Sequence, residues 1–176
     1  MGRYLRDVEK GGVYHVTFKV QNDEFRLGHQ EDVQTLMALL VHYKKPHGVS
    51  VTAHSVMSNH VHLIIENSSD DEEAICHYLR DVKRQFAKYY NISYGRRGNF
   101  WVSGFHCREI RDYLQYVFTI VYILCNAVLA RKCQRAEDYA HTSFHLLLDE
   151  ITLKDFEDSR RFMTEGEAEV VLRQAK

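Results

Sequence analysis

Residues 49–66 read VSVTAHSVMSNHVHLIIE, and the reading of this stretch decides the fold. Val49 to Val56 and His60 to Glu66 are short runs rich in β-branched and aliphatic residues, each with strand character. The turn-forming pair Ser58-Asn59 between them marks a hairpin. Upstream, Val13-Tyr14-His15-Val16-Thr17-Phe18-Lys19-Val20 has the same composition and reads as an earlier strand. From about Glu31 to Tyr43, apolar residues at Val33, Leu36, Met37, Leu40 and Val41 recur at helical spacing. The chain's single proline, Pro46, and then Gly48 close that helix before the hairpin begins.

Downstream of the hairpin, Ser68 to Asp71 is polar and acidic, as a helix start should be. The helix it opens is expected to reach about Tyr90, burying Ile75, Leu79, Val82, Phe86 and Tyr89. Residues 91–99 (NISYGRRGN) read as a loop. Residues 100–110 look extended but are interrupted by Gly104, which suggests a bent strand or two short ones. Asp112 stands at an N-cap position before a strongly apolar helix reaching about Ala130. Residues 131–176 offer one or two short amphipathic helices.

The order is β-α-β-β-α-β(β)-α. This describes an α+β protein of ferredoxin-like split βαβ plan, an antiparallel sheet with its helices mainly on one face. Residues 1–145 are expected to form one domain, and residues 146–176 a short helical acidic extension.

The chain has 176 residues, 45% hydrophobic and 27% charged, enough for one compact core. No run of eighteen apolar residues points to a membrane span. The opening MGRYLRDVEKGG lacks the apolar stretch of a secretory signal. Four scattered cysteines (Cys76, Cys107, Cys125 and Cys133), with no CxxC pair, read as reduced thiols of a cytoplasmic protein. The net charge of −1 hides an asymmetry, because residues 137–176 hold ten acids and five bases. The remainder carries 18 bases and 14 acids, so a mildly basic body precedes an acidic tail. That permits a local phosphate-binding patch without demanding one.

Alternate residues on a strand share a face, so the imidazoles of His60 and His62 project together while Val61 points the other way. Two nitrogens so placed can meet one divalent cation. Imidazole suits manganese, zinc or nickel, and magnesium if oxygen ligands complete the shell. Two surface histidines alternating with a core valine would give the same string. Tyr122 and Asn126 lie four apart on the last long helix, hence on one face. The amide could supply a third ligand while the phenol one turn away faces a phosphate. A core tyrosine with a satisfied hydroxyl is the plainer alternative. His60-x-His62-x3-Glu66 also matches cupin metal spacing, but cupins are turn-rich β-barrels and this chain has three long helical patterns.

Taken together, these motifs resemble the single-tyrosine HUH transposases, in particular the REP-associated tyrosine transposase type with its IS200-like domain. Gly12-Val13-Tyr14-His15-Val16-Thr17 resembles that family's first strand, and Met57 to Glu66, with its NHVHL core, its HUH motif. Gly98-Asn99-Phe100-Trp101, with Phe105 after Gly104, resembles the stretch before the last catalytic helix. Asp112-Tyr113-Leu114 and the YIxxN of Tyr122 to Asn126 resemble that helix. Glu137-Asp138-Tyr139 with Thr142-Ser143-Phe144 resembles the closing element. Ala127, Leu124 and Gly104 depart from the proline, histidine and arginine common at the matching family positions.

The resemblance implies Tyr122 as nucleophile, with His60, His62 and Asn126 on a divalent metal ion, magnesium or manganese. It implies cleavage and rejoining of single-stranded or hairpin DNA through a 5′-phosphotyrosine, by a monomer or a homodimer. The competing expectation is a non-catalytic, domesticated transposase that binds DNA hairpins. Candidate backbone contacts are Arg80, Arg84 and Lys88 on one face of the second helix, with Lys83 alongside, and Arg96 and Arg97 in the following loop. Tyr89, Tyr90 and Tyr94 are candidate base-stacking residues.

Overall fold

The computed structural model describes residues 8–144. Four strands, β1 (Val13–Lys19), β2 (Val49–Val56), β3 (His60–Asn67) and β4 (His106–Ile110), form one sheet in the order β2-β3-β1-β4. All three pairings are antiparallel. Helix α1 (Gln30–Lys44) crosses from β1 to β2, leaving the space between them for β3. Helices α2 (Ala74–Ser93) and α3 (Tyr113–Leu129) follow β3 and β4. The split βαβ plan expected from the order of elements is the plan observed.

The hairpin turns at Ser58-Asn59, closed by the Met57 amide donating to the His60 carbonyl at 2.8 Å. The carbonyls of that turn also accept from Val20 and Leu27, each at 2.8 Å, so the loop after β1 fixes it from outside. A register shift between Val51 and Ala53 bulges β2 on its way to the turn.

Strand alternation divides the side chains between two cores. Tyr14, Val16 and Phe18 with Val61, Leu63 and Ile65 face α1 and α2 and build the larger one, closed by Phe86, Phe100 and Trp101. Ala53, Ile64 and Ile110 face the other way, onto Val117, Ile120, Ile123 and Leu124 of α3. Among the described helices, α1 and α2 therefore share a face and α3 lies on the opposite one.

Helix α2 begins at Ala74 rather than at the polar run before it, and continues to Ser93, into the expected loop. Its inner stripe is Ile75, Tyr78, Leu79, Val82, Phe86 and Tyr90. The Tyr78 hydroxyl donates to the Leu40 carbonyl at 2.9 Å, and those of Tyr89 and Tyr94 donate to the two carboxylate oxygens of buried Asp32 at 3.0 and 2.8 Å. These bonds tie α2 to α1. The acceptor Asp32 is the main reason the Tyr94 phenol is pushed up to about 12.

The segment 100–110 resolves into two short pieces. Trp101 makes an isolated bridge with Val20, and β4 starts after Gly104, whose φ of +82° suits glycine. Beyond α3, residues 136–138 form a short 3₁₀ turn and Thr142 bridges to Ser55 on the β2 edge. The expected acidic extension, 146–176, lies outside the described residues. Among those described, no helix is long and apolar enough to cross a membrane.

Candidate active site

The register of the central strands assembles a polar cluster on the α3 face. Thr17 pairs with His62, Lys19 with His60 and His15 with Ile64, so His15, Thr17, Lys19, His60 and His62 all project to one side. Val61, between the two histidines, is fully buried on the other. Helix α3 brings the remaining groups. The Asp112 carboxylate accepts from the Gln115 amide at 2.8 Å, which caps the helix and fixes where its turns fall. With that phase, Ile123 and Ala127 are buried against the sheet, while Tyr122 and Asn126 sit one turn apart beside the histidines.

The four residues singled out for metal and nucleophile roles do come together. The His60 and His62 rings lie 4.9 Å apart between centroids and nearly perpendicular, at 86°. The Asn126 amide nitrogen is 3.4 Å from His62 Nε2, and its side chain also hydrogen-bonds His60. The Tyr122 ring stands edge-on to His62 at 5.6 Å and to His15 at 6.2 Å. Tyr122 is half-buried, whereas His62 and Asn126 are buried.

Hydrogen bonding on the far side of each imidazole selects its tautomer. His60 Nδ1 meets the Asn59 carboxamide oxygen at 2.7 Å, so it carries the proton and leaves Nε2 with a lone pair. His62 Nδ1 meets His15 Nε2 at 3.0 Å and the Thr17 hydroxyl at 3.1 Å. A proton on His62 Nδ1 satisfies this arrangement and leaves Nε2 to accept from the Asn126 amide. Both rings are held neutral. Burial, then the neighbouring His15, His60 and Lys19, lowers His62 to about 3, and burial with Lys19 lowers His60 from its ordinary value. Burial and the Arg108 charge take His15 to about 4.

A neutral imidazole with an unprotonated nitrogen is the form that ligates metal. Among the described residues, no group of three or more His, Cys, Asp or Glu side chains is arranged to hold a metal ion. The donors brought together are two imidazoles and one carboxamide. Imidazole and carboxamide donors of this kind suit divalent first-row metals.

The cations of α2 are elsewhere. Helix α2 packs on the opposite face of the sheet, so Arg80, Lys83, Arg84 and Lys88 are separated from His60 and His62 by the sheet itself. Arg80 and Arg84 lie 3.6 and 3.4 Å from Asp81. Lys83 donates to the carbonyls of Val102 and Gly104 at 3.0 and 2.7 Å and so braces the bend before β4. Arg96 lies over the Tyr90 ring at 5.7 Å, and Arg97 is exposed in the loop. Tyr90 is a core residue, and Tyr89 and Tyr94 spend their hydroxyls on Asp32.

Sequence reading missed His15 and Thr17 as members of the cluster. The only signal was that they share a strand face, and it acquires meaning only once β1 is known to lie beside β3.

The family model for IS200-like transposases matches residues 10–123, more than half of the chain. The chain belongs to the IS200-like transposase family. Tyr122 falls within the matched span and Asn126 just beyond it. A solved structure of a REP-associated tyrosine transposase bound to a REP hairpin superposes at a TM-score of 0.72 with 24% identity, covering 85% of this chain and 86% of that one. At that identity the likeness shows a shared fold. A crystal structure of a transposase candidate from Deinococcus radiodurans R1 matches more distantly, with a TM-score of 0.47, 16% identity, and 66% and 89% coverage. Comparison with curated proteins gave no match.

Proposed function

We propose that this chain cuts and rejoins single-stranded DNA, with Tyr122 as the nucleophile and hairpin-flanking strands as substrate. The observation that carries the reading is the convergence of His60, His62 and Asn126, with both imidazoles kept neutral and the Asn126 carboxamide against them, beside the Tyr122 ring. A DNA-binding module needs none of these. Membership in the IS200-like family supports the same reading, as does a structural neighbour bound to a REP hairpin.

His60, His62 and Asn126 would hold a divalent cation, which polarises the non-bridging phosphate oxygens when bound. The Tyr122 oxygen attacks the phosphorus in line and the bond to the 3′ oxygen breaks. The phenol loses its proton as the leaving 3′ oxygen gains one, and the 5′ end stays on Tyr122 as a phosphodiester. Attack by another 3′-hydroxyl reverses the exchange and joins strands with no external energy source. His15 and Thr17 act behind His62, holding its ring so that Nε2 faces Asn126.

The test is cleavage of an end-labelled hairpin with single-stranded flanks in the presence of manganese. Wild-type protein should cut the flank; Tyr122→Phe and chelated wild type should not. Retained hairpin binding with no cleavage under any of these conditions would favour the non-catalytic reading, to which the departures at Gly104, Leu124 and Ala127 are relevant.

A further inference from the structure

Helix α3 packs on one face of the sheet. It covers Ile110 and Val13 at one corner and Ala53 and Ile64 near the middle, ending beside His60 and His62. The corner it leaves open belongs to β1 and β4. There Thr17 pairs with His106 and His15 with Arg108, so these four side chains share the face on which Tyr122 stands. His106 and Arg108 are exposed, and His15 and Thr17 are partly so.

The charge of this corner is one-sided. Among the described residues, Arg108 makes no salt bridge, although Glu109 is next to it in sequence. Glu109 points to the other face of β4 and pairs with Arg111 at 2.9 Å. At the opposite end of the cluster, near His60, stand Lys19 and Lys132, the latter 2.6 Å from the Ser58 hydroxyl. Lys19 is 3.6 Å from Asp23. Glu66, the one carboxylate on this face of β3, pairs in register with Val13, beyond His15, and Ser50 lies 3.5 Å from it. A strand threading past Tyr122 therefore meets Arg108 and His106 on one side, Lys19 and Lys132 with the Asp23 carboxylate on the other, and an edge strand whose polar tips reach solvent.

We propose that the β1–β4 corner, with Arg108 and His106 as its contacts and Thr17 beside them, carries the phosphates of single-stranded DNA adjoining the reacting one. This rests on the function proposed above and specifies where its substrate lies: on the sheet face shared with Tyr122, next to His15. Arg108 supplies a fixed, planar donor for a non-bridging phosphate oxygen. His106, two residues before it on the same strand face, supplies the next contact. Contacts of this kind position the strand without reading its bases.

The test is anisotropy of a labelled oligothymidylate titrated with full-length protein, without metal, at several salt concentrations. Arg108→Gln is expected to weaken binding about 5- to 10-fold at low salt and to reduce the slope of log K against log salt by about 0.7, the value for one single-strand phosphate contact. Arg108→Lys should recover most of that slope, which separates lost charge from lost folding. Lys45→Gln removes an equal charge from the exposed end of α1, on the other face, and should stay within about twofold of wild type. Unchanged binding in Arg108→Gln, or an equal loss in Lys45→Gln, overturns the inference while leaving the Tyr122 chemistry standing. A change in sedimentation of Arg108→Gln without a change in DNA affinity would make the corner a self-association face and also overturn it. No binding of oligothymidylate by wild type would overturn the inference and leave the Tyr122 chemistry to the hairpin cleavage assay.

Discussion

His62 is buried, yet it is surrounded by polar partners: His15 and Thr17 behind, Asn126 in front, Tyr122 at its edge. Removing a group that orients a ligating histidine typically costs 10- to 100-fold in metal affinity. His15→Ala is therefore expected to weaken manganese binding by about that factor in calorimetry, while leaving the far-UV circular dichroism unchanged. An affinity equal to wild type would show that Thr17 alone suffices. The same burial has a consequence for acid stability. His15 and His54 are each lowered to about 4 by desolvation, with Arg108 adding to the effect on His15. The unfolded chain takes up these protons near the ordinary 6.5, whereas the folded chain resists them. Stability is thus complete above about 6.5 and is lost as pH falls toward 4. The thermal midpoint should drop steadily across that window, and His54→Gln should flatten the drop; a midpoint independent of pH would contradict the account. At this scale the sequence was partly legible. Period alone places the HxH pair and the Tyr-x3-Asn spacing each on one face, and the family resemblance singled them out from surface histidines and a core tyrosine, whereas His15 and Thr17 belong to the cluster only through pairing with a strand more than forty residues away.

Among the elements, α3 was the most readable, because Asp112 caps it and the apolar run behind leaves one interpretation. Asp112→Ala should cost about 1 kcal/mol in urea unfolding. In α2, Phe86 is fully buried and packs against Phe100, Trp101 and Tyr90, so Phe86→Ala should cost about 3–5 kcal/mol by the same measurement. A cost near zero for either would mean that the helix is not held as described. The side of the sheet that each helix takes was not legible. Leu63, Ile64 and Ile65 are all buried, since β3 is covered on both faces, and a continuous apolar run says nothing about which helix lies where. For that reason the polar face of α2, with Arg80, Arg84 and Lys88, read as a companion to the histidines although the sheet stands between them. The end of α2 was missed for a local reason: no proline or glycine stops the helix before Gly95, so it runs on through Asn91 to Ser93.

Among the described residues, the split βαβ core carries both the polar cluster and the sheet corner that α3 leaves uncovered. If the cluster holds a cation, binding must stabilise the folded chain, by about 2.7 kcal/mol at a hundred times the dissociation constant. Manganese should accordingly raise the thermal midpoint of wild type and leave that of His60→Ala/His62→Ala unmoved; an equal rise in both would place the metal elsewhere. The central claim, that Tyr122 forms a covalent bond to DNA, is tested most directly by identifying that bond. Wild-type protein would be incubated with a hairpin bearing single-stranded flanks and manganese, resolved under denaturing conditions and digested for mass spectrometry. The expected product is a DNA adduct whose peptide carries a 5′-phosphorylated nucleotide on Tyr122, absent from Tyr122→Phe. Hairpin binding with no adduct, or an adduct mapped to another residue, would contradict it.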